Sequence, residues 1–102
     1  MLSESMAPGV FPRNYLKRNL HHATFFCVAP KAQHVALIGD FNDWQPAPMR
    51  RMPDGQWIAT LELPHGCHQY LFLVDDQPVL DPNASGQARN GRNELVSLIA
   101  IS

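Results

Sequence analysis

The most conspicuous residue for ligand chemistry is Trp44, which ends the segment GDFNDW at residues 39–44. The glycine, aspartates and asparagine around it are typical turn formers, so the indole is predicted to lie on a loop. A flat indole on a loop can serve as a platform for an apolar ligand face, or it can pack over its own loop at the edge of the fold. The residue types alone leave both interpretations open.

Carboxylates are the next candidates for chemistry, and six of them fall near predicted turns: Asp40, Asp43, Asp54, Asp75, Asp76 and Asp81. Hydrolysis of a glycosidic bond needs two carboxyl groups at a fixed separation across a cleft. Each of these aspartates instead stands where its side chain can bond to the backbone of its own turn. We therefore expect no catalytic residues and no enzymatic activity.

Histidine and cysteine form one short cluster, HGCH at residues 65–68. A structural zinc site needs four ligands in a closed geometry, which this fragment does not supply. His21 and His22 would point to opposite faces of a strand, so they cannot complete one site together. The sequence predicts neither a metal site nor a cofactor.

Five short runs rich in aromatic and aliphatic residues supply the elements that position these residues. The runs are ATFFCVAP, HVALIGDF, QWIATLEL, HQYLFLVDD and ELVSLIAI. Turn chemistry separates them, notably at Pro53-Asp54-Gly55, at residues 64–66 and at Asp75-Asp76. This spacing predicts an antiparallel β-sandwich in residues 21–102, with a polar loop through SGQARNGRN. Residues 1–20 form a lead-in, either flexible or packed at an edge.

Strand alternation predicts which side chains face the interior. In QWIATLEL, Trp57 is expected in the core with the three residues that share its parity, Ala59, Leu61 and Leu63. In HQYLFLVDD, the core face is Tyr70, Phe72 and Val74, which leaves Leu71 and Leu73 on the opposite face. That face is unusually apolar for a solvated sheet surface.

Composition narrows the possible partners. The chain has 102 residues, a formal net charge of −1 and two cysteines, which suits a single domain without a nucleic-acid footprint. Its first residues show no signal-peptide pattern, and no apolar stretch is long enough to cross a bilayer. We expect a cytoplasmic protein that binds neither nucleic acid nor membrane, with Cys27 and Cys67 reduced and partly buried.

The order of motifs resembles a known family. VALIGDFNDW, PDGQWIATLELPHGCHQYLFLVDD, LDPN and NELV follow one another as in the early-set carbohydrate-binding modules beside isoamylase and branching-enzyme catalytic domains. They are also similar to the glycogen-binding domain of the AMP-activated protein kinase beta subunit. The resemblance covers about residues 24–101. It implies an immunoglobulin-like β-sandwich that binds α-glucan on one sheet face without catalysis of its own.

The resemblance also implies a partly altered binding site. Trp44 and Asn93 match the loop tryptophan and the asparagine that contact glucan in the family. Leu71 replaces a family lysine, Pro78 replaces a second tryptophan, and Arg89 aligns with a leucine that inserts into the glucan. These replacements predict weak binding.

Two functions remain open at this point. The first is a non-catalytic α-glucan-binding module, standing alone or recruited by a glycogen-metabolising enzyme. The alternative is an early-set protein-interaction module whose sugar site has decayed, with a partner or a second copy covering the face of Leu71 and Leu73. Trp44 with Asn93 favours the first, and Leu71 with Pro78 favours the second.

Overall fold

The structure, a computed structural model, describes residues 20–102. Nine strands and one short 3-10 helix form this part of the chain. The strands are β1 Leu20–Val28, β2 Val35–Gly39, β3 Ala47–Pro48, β4 Arg50–Arg51, β5 Gln56–Pro64, β6 Gly66–Val74, β7 Gln77–Val79, β8 Gly86–Arg89 and β9 Leu95–Ile101. The 3-10 helix spans Asp40–Asn42. No helix in residues 20–102 is long and apolar enough to cross a membrane.

The strands form two sheets in which every pairing is antiparallel. The small sheet has the order β1-β5-β4. The large sheet has the order β3-β2-β6-β9-β8, and β7 pairs with the last three residues of β6. The chain passes from the small to the large sheet between β5 and β6, where Gly66 has a φ of 130° that a side chain would rarely adopt. The predicted all-β, immunoglobulin-like antiparallel sandwich is confirmed.

Alternation places the core between the two sheets as the sequence predicts. Trp57 and Leu63 are buried in β5, and Tyr70 and Phe72 are buried in β6. The Trp57 indole N–H also donates to the carbonyl of Ala29, at 2.9 Å, so its one polar group is satisfied inside the sandwich. The prediction that Trp57 is a core residue is confirmed.

The turns confirm the roles expected of their residues. Asp75 and Asp76 both have positive φ, 47° and 69°, and they join β6 to β7 as a two-residue hairpin. Gly55 has a φ of 89° at the end of the turn before β5. The polar residues at these positions therefore fix where the strands reverse.

Two expectations are wrong. The segment predicted as a polar loop contains a strand, β8, in which Ala88 pairs with Val96 of β9. Gly, Gln, Ala and Arg have low strand propensity, so tertiary pairing rather than local preference forms this strand. Cys67 is exposed, whereas Cys27 is buried, so only Cys27 lies away from solvent. The lead-in prediction falls almost wholly on residues 1–19, outside the described residues.

Candidate functional site

Trp44 lies on a tight loop that begins as β2 ends. Its backbone N–H donates to the carbonyl of Gly39 at 2.9 Å, and it has a φ of 57° next to Asp43 at 56°. Asn42 closes the loop from inside, because its Oδ1 accepts from the Gly39 N–H and its amide donates to the carbonyl of Leu37. The indole is 36% exposed at the end of this loop. The loop thus presents Trp44 to solvent in a fixed backbone conformation.

Gly39 has a packing reason rather than a conformational one. Its backbone is extended, with a φ of −169° that any residue can adopt. A Cβ added there would lie 2.5 Å from the Phe41 ring and 2.7 Å from the carbonyl oxygen of Gln69. The close approach of this loop to β6 therefore requires glycine.

An open cleft of about 810 Å³ lies against the outer face of the large sheet. Trp44 lines it on one side, and Arg92 and its neighbours in the β8–β9 turn line it on another. Its lining residues are Ile38, Trp44, Gln69, Leu71, Pro78, Leu80, Asn90, Gly91, Arg92, Glu94 and Leu95. The floor is mostly aliphatic and the polar groups stand around it, an arrangement typical of small-molecule and sugar sites.

The β8–β9 turn is held by one side chain. The Asn90 carbonyl oxygen accepts from the backbone N–H groups of Arg92 and Glu94, at 2.9 and 3.0 Å, and its amide donates to a Glu94 carboxylate oxygen at 3.3 Å. Asn90 is therefore occupied within the turn. Arg92 is the one cation among the described residues that line the cleft, and nothing in this network engages its guanidinium.

The structure brings three of the five predicted site residues together. Trp44, Leu71 and Pro78 all line the cleft. Asn93 lies in the turn with a φ of 64°, exposed, between two lining residues but not among them. Arg89 lies at the end of β8 and points its Nη1 to the carbonyl of Asn93, at 2.8 Å, away from the cleft lining. Its predicted loop position is wrong because β8 extends through it.

Leu71 and Leu73 lie on the face opposite the core, as alternation predicts, but both are partly buried rather than fully in water. Neighbouring strands cover them, since Leu71 is paired with Ile38 and Leu73 with Ala36 and Pro78. Leu71 lines the cleft beside Trp44, whereas Leu73 does not. The apolar face is thus shared between strand packing and the cleft floor.

Sequence reasoning missed several lining residues. Ile38 could have been found from alternation in β2, where Val35 and Leu37 face the core and Ile38 faces the other side. Leu80 and Leu95 carry no such signal, because each lies at a boundary between a turn and a strand. Leu95 is 40% exposed, and only the pairing of β8 with β9 brings it to the cleft.

A buried polar pair supports the segment that leads to Leu80. The Tyr70 hydroxyl donates to Asp81 Oδ2 at 2.6 Å, and the other carboxylate oxygen accepts from the Asn83 N–H. Burial, together with the hydrogen bond and charge of Asp81, raises the pKa of the Tyr70 hydroxyl well above its usual range. Burial also raises the pKa of the Cys27 thiol, and the Asp81 charge adds to that effect.

Most of the aspartates considered for catalysis have structural roles. Asp40, Asp54, Asp75 and Asp81 each accept at least one backbone N–H. Within residues 20–102, no three His, Cys, Asp or Glu side chains are grouped so as to hold a metal ion. The geometry of the described site therefore supports binding rather than bond cleavage.

Comparison with known proteins decides the family. The family model described as the glycogen recognition site of AMP-activated protein kinase matches residues 22–102. The chain belongs to this family. This confirms the resemblance carried by the GDFNDW and HQYLFLVDD motifs, and it makes the chain a member of a carbohydrate-binding, glycogen-recognising family.

Individual relatives match over about half of the chain. The chain is 45% identical over 51 residues to the 5'-AMP-activated protein kinase subunit beta-1 of Sus scrofa, a match covering 50% of this chain and 41% of that protein. It is 46% identical over 52 residues to a 1,4-alpha-glucan branching enzyme of Lactobacillus acidophilus, covering 50% of this chain and 8% of the enzyme. The chain thus corresponds to a part of each of these longer relatives.

A solved structure shows the same fold. A maltogenic amylase from S. marinus aligns with a TM-score of 0.69 and 25% sequence identity, covering 79% of this chain and 13% of the amylase. The β-sandwich of this family is therefore similar to a small part of that amylase.

Proposed function

We propose that this chain is a non-catalytic module that binds α-glucan polysaccharide in the cleft beside Trp44. The observation that supports this most directly is the half-open indole at the edge of an open cleft, on a loop whose backbone is fixed by Gly39 and Asn42. An indole held in this way loses little conformational entropy when a sugar ring stacks on it. Family membership supports glucan as the ligand class.

Polar groups around the cleft complement the platform. Gln69 and Arg92 supply donors at the cleft lining, and Glu94 supplies an acceptor. Asn93 is exposed on the same turn and can reach a bound chain that extends past the cleft. Sugar hydroxyls both donate and accept, so this mixture suits a glucan better than a purely apolar ligand.

The affinity of one module is expected to be low. Covering about 70 Å² of a glucose face at about 25 cal/mol per Å² contributes about 2 kcal/mol. Even a millimolar dissociation constant needs about 4.1 kcal/mol, after the costs of association are met. With Leu71 and Pro78 on the floor, short oligosaccharides should bind poorly and a polymer that engages several modules should bind better.

The absence of catalysis is part of the proposal. Glu94 is the one carboxylate among the described residues that line the cleft, and glycoside hydrolysis needs two across the scissile bond. A glycogen-metabolising enzyme that uses the module for substrate targeting is the partner we propose. Self-association through the face of Leu71 and Leu73 is the second arrangement we consider.

One feature favours the alternative function, a protein-interaction module. The cleft floor combines Leu71, Pro78 and Leu80 with the exposed Leu95, an apolar surface that also suits a protein side chain. On this alternative, Leu71→Glu would change the sedimentation of the protein alone or with its partner, whereas glycogen would have no effect on migration.

Retardation in a native gel cast with glycogen tests the proposal. The wild-type chain should migrate more slowly than in a gel without glycogen, and Trp44→Ala should remove this retardation. Leu71→Lys combined with Pro78→Trp should increase it, because the pair adds a donor and a second platform on the cleft floor.

Phe26→Ala is the matched control for the loss of an exposed aromatic. Phe26 is 50% exposed on the outer face of the small sheet, away from the cleft. Its truncation should leave retardation unchanged. Equal retardation of wild type and Trp44→Ala would show that glycogen does not bind through this cleft.

A further inference from the structure

His68 lies near the start of β6 with both ring nitrogens next to hydrogen-bond acceptors. Its Nδ1 is 3.3 Å from Asp40 Oδ1, and its Nε2 is 2.9 Å from the carbonyl oxygen of Pro64. The side chain is only 13% exposed, so water does not readily replace either contact. A neutral imidazole donates from one nitrogen only, and its other lone pair would face an acceptor. Only the doubly protonated ring satisfies both contacts.

Asp40 connects this histidine to the loop of Trp44. It is the first residue of the 3-10 helix, and its Oδ2 accepts from the backbone N–H of Gln69 at 3.0 Å. Its other oxygen is the one that faces His68. The loop is closed four residues later by the hydrogen bond from the Trp44 N–H to Gly39. Asp40 therefore attaches the Trp44 loop to β6, and the His68 ring links it further to the turn after β5.

We infer that His68, in its doubly protonated form, is a positioning residue that holds the Asp40 side chain and thereby the loop that presents Trp44 to glucan. The inference rests on the proposed function and adds a dependence on pH. His68 does not touch the cleft, so it acts through Asp40 rather than on the sugar. Deprotonation leaves one contact unsatisfied and loosens the loop, so binding weakens as the pH rises.

The surroundings of His68 isolate this effect. Among the described residues in contact with the ring, Asp40 is the charged one. The Phe41 ring lies 6.1 Å away, centroid to centroid, and the residue opposite on β9 is Ile99, neither of which titrates. A pH profile of the loop therefore reports mainly on the His68–Asp40 contact.

Affinity electrophoresis in glycogen between about pH 5 and pH 8, where histidines change charge, tests the inference. Wild type should be retarded most at the acidic end. His68→Phe keeps an aromatic ring but donates nothing, so it should weaken retardation at acidic pH about fivefold, a factor typical of one lost hydrogen bond, and flatten the profile.

Asp40→Asn is the second variant, and it makes a different prediction. The asparagine oxygen can still accept from the Gln69 N–H, while its amide can donate to the lone pair of a neutral imidazole. This variant should therefore keep its retardation at alkaline pH and lose the dependence on pH. A purely structural role for His68 would not produce this rescue.

His22→Phe is the matched control, because His22 also lies beside a carboxylate, with its Nε2 3.8 Å from Glu62, but on the small sheet. It should retain the wild-type profile. The ¹⁹F resonance of 5-fluorotryptophan at position 44, assigned with Trp44→Ala, provides a readout without glycogen. It should shift with pH in wild type and not in His68→Phe.

The outcomes separate the two claims. If wild type is retarded and His68→Phe has the same affinity and pH profile, the positioning role is overturned and glucan binding stands. If wild type is not retarded at any pH, glucan binding fails, and the fluorine resonance then decides the role of His68. An unchanged resonance across the pH range in wild type would overturn it.

Discussion

The two tryptophans of this protein are held in opposite ways. Trp57 is 6% exposed in the middle of the sandwich, with side chains from both sheets around it and its N–H bonded to Ala29. Trp44 is 36% exposed, on a loop fixed by backbone contacts and by the Asn42 side chain. An aromatic residue that stabilises the fold is enclosed by side chains, whereas one available to a ligand is fixed through its backbone.

The largest expected effect separates these two roles by stability. Trp57→Ala should lower the free energy of unfolding by about 3 to 5 kcal/mol, because it leaves a cavity between the sheets. Trp44→Ala should change it little, because the indole leaves no enclosed space. Urea denaturation followed by circular dichroism measures both values.

Acrylamide quenching of single-tryptophan variants checks the same comparison in the folded state. The quencher should reach Trp44 much more readily than Trp57. Equal quenching of the two would contradict the difference in exposure on which the proposed platform depends.

A smaller effect is expected from the buried pair beneath the cleft. Tyr70→Phe should cost about 1 to 3 kcal/mol, because Asp81 loses a donor while it stays buried. The pKa of Tyr70 is raised in the folded protein, so the unfolded chain releases this proton first as the pH rises. The stability from this group is therefore complete below about pH 10, the ordinary tyrosine value, and declines above it.

Urea denaturation of wild type and Tyr70→Phe at about pH 8 and at pH values above about 10 measures this effect. The stability difference between the two proteins should shrink at the higher pH. A difference that stays constant would show that the Tyr70 proton does not contribute.

The smallest expected effect is chemical rather than energetic. Iodoacetamide should label Cys67 in the folded protein, because that thiol is exposed, and should label Cys27 only after unfolding. Burial and the raised pKa of Cys27 both reduce its reactive thiolate. Mass spectrometry of Cys67→Ser and Cys27→Ser variants distinguishes the two sites, and rapid native labelling of Cys27 would place it outside the core.

Alternation was a reliable guide to the interior but not to the cleft. The five long strands and the burial of Trp57, Tyr70 and Phe72 follow from a period of two, which is a local property of the chain. The cleft depends on residues at strand ends, such as Leu80 and Leu95, whose positions no local period describes. Asn93 and Arg89 were expected at the site, yet neither is among its lining residues.

The sequence by itself determined the sandwich, its turns at Gly55 and Asp75-Asp76, and the motif order that identifies the family, because these depend on local propensity and residue type. Only the tertiary structure decided that residues 86–89 form a strand, since their propensity is low and their pairing partner lies several residues later in the chain. It also decided that His68 contacts Asp40, 28 residues away in sequence. Contacts between distant segments depend on register and on how the sheets pack, which no short stretch of sequence contains.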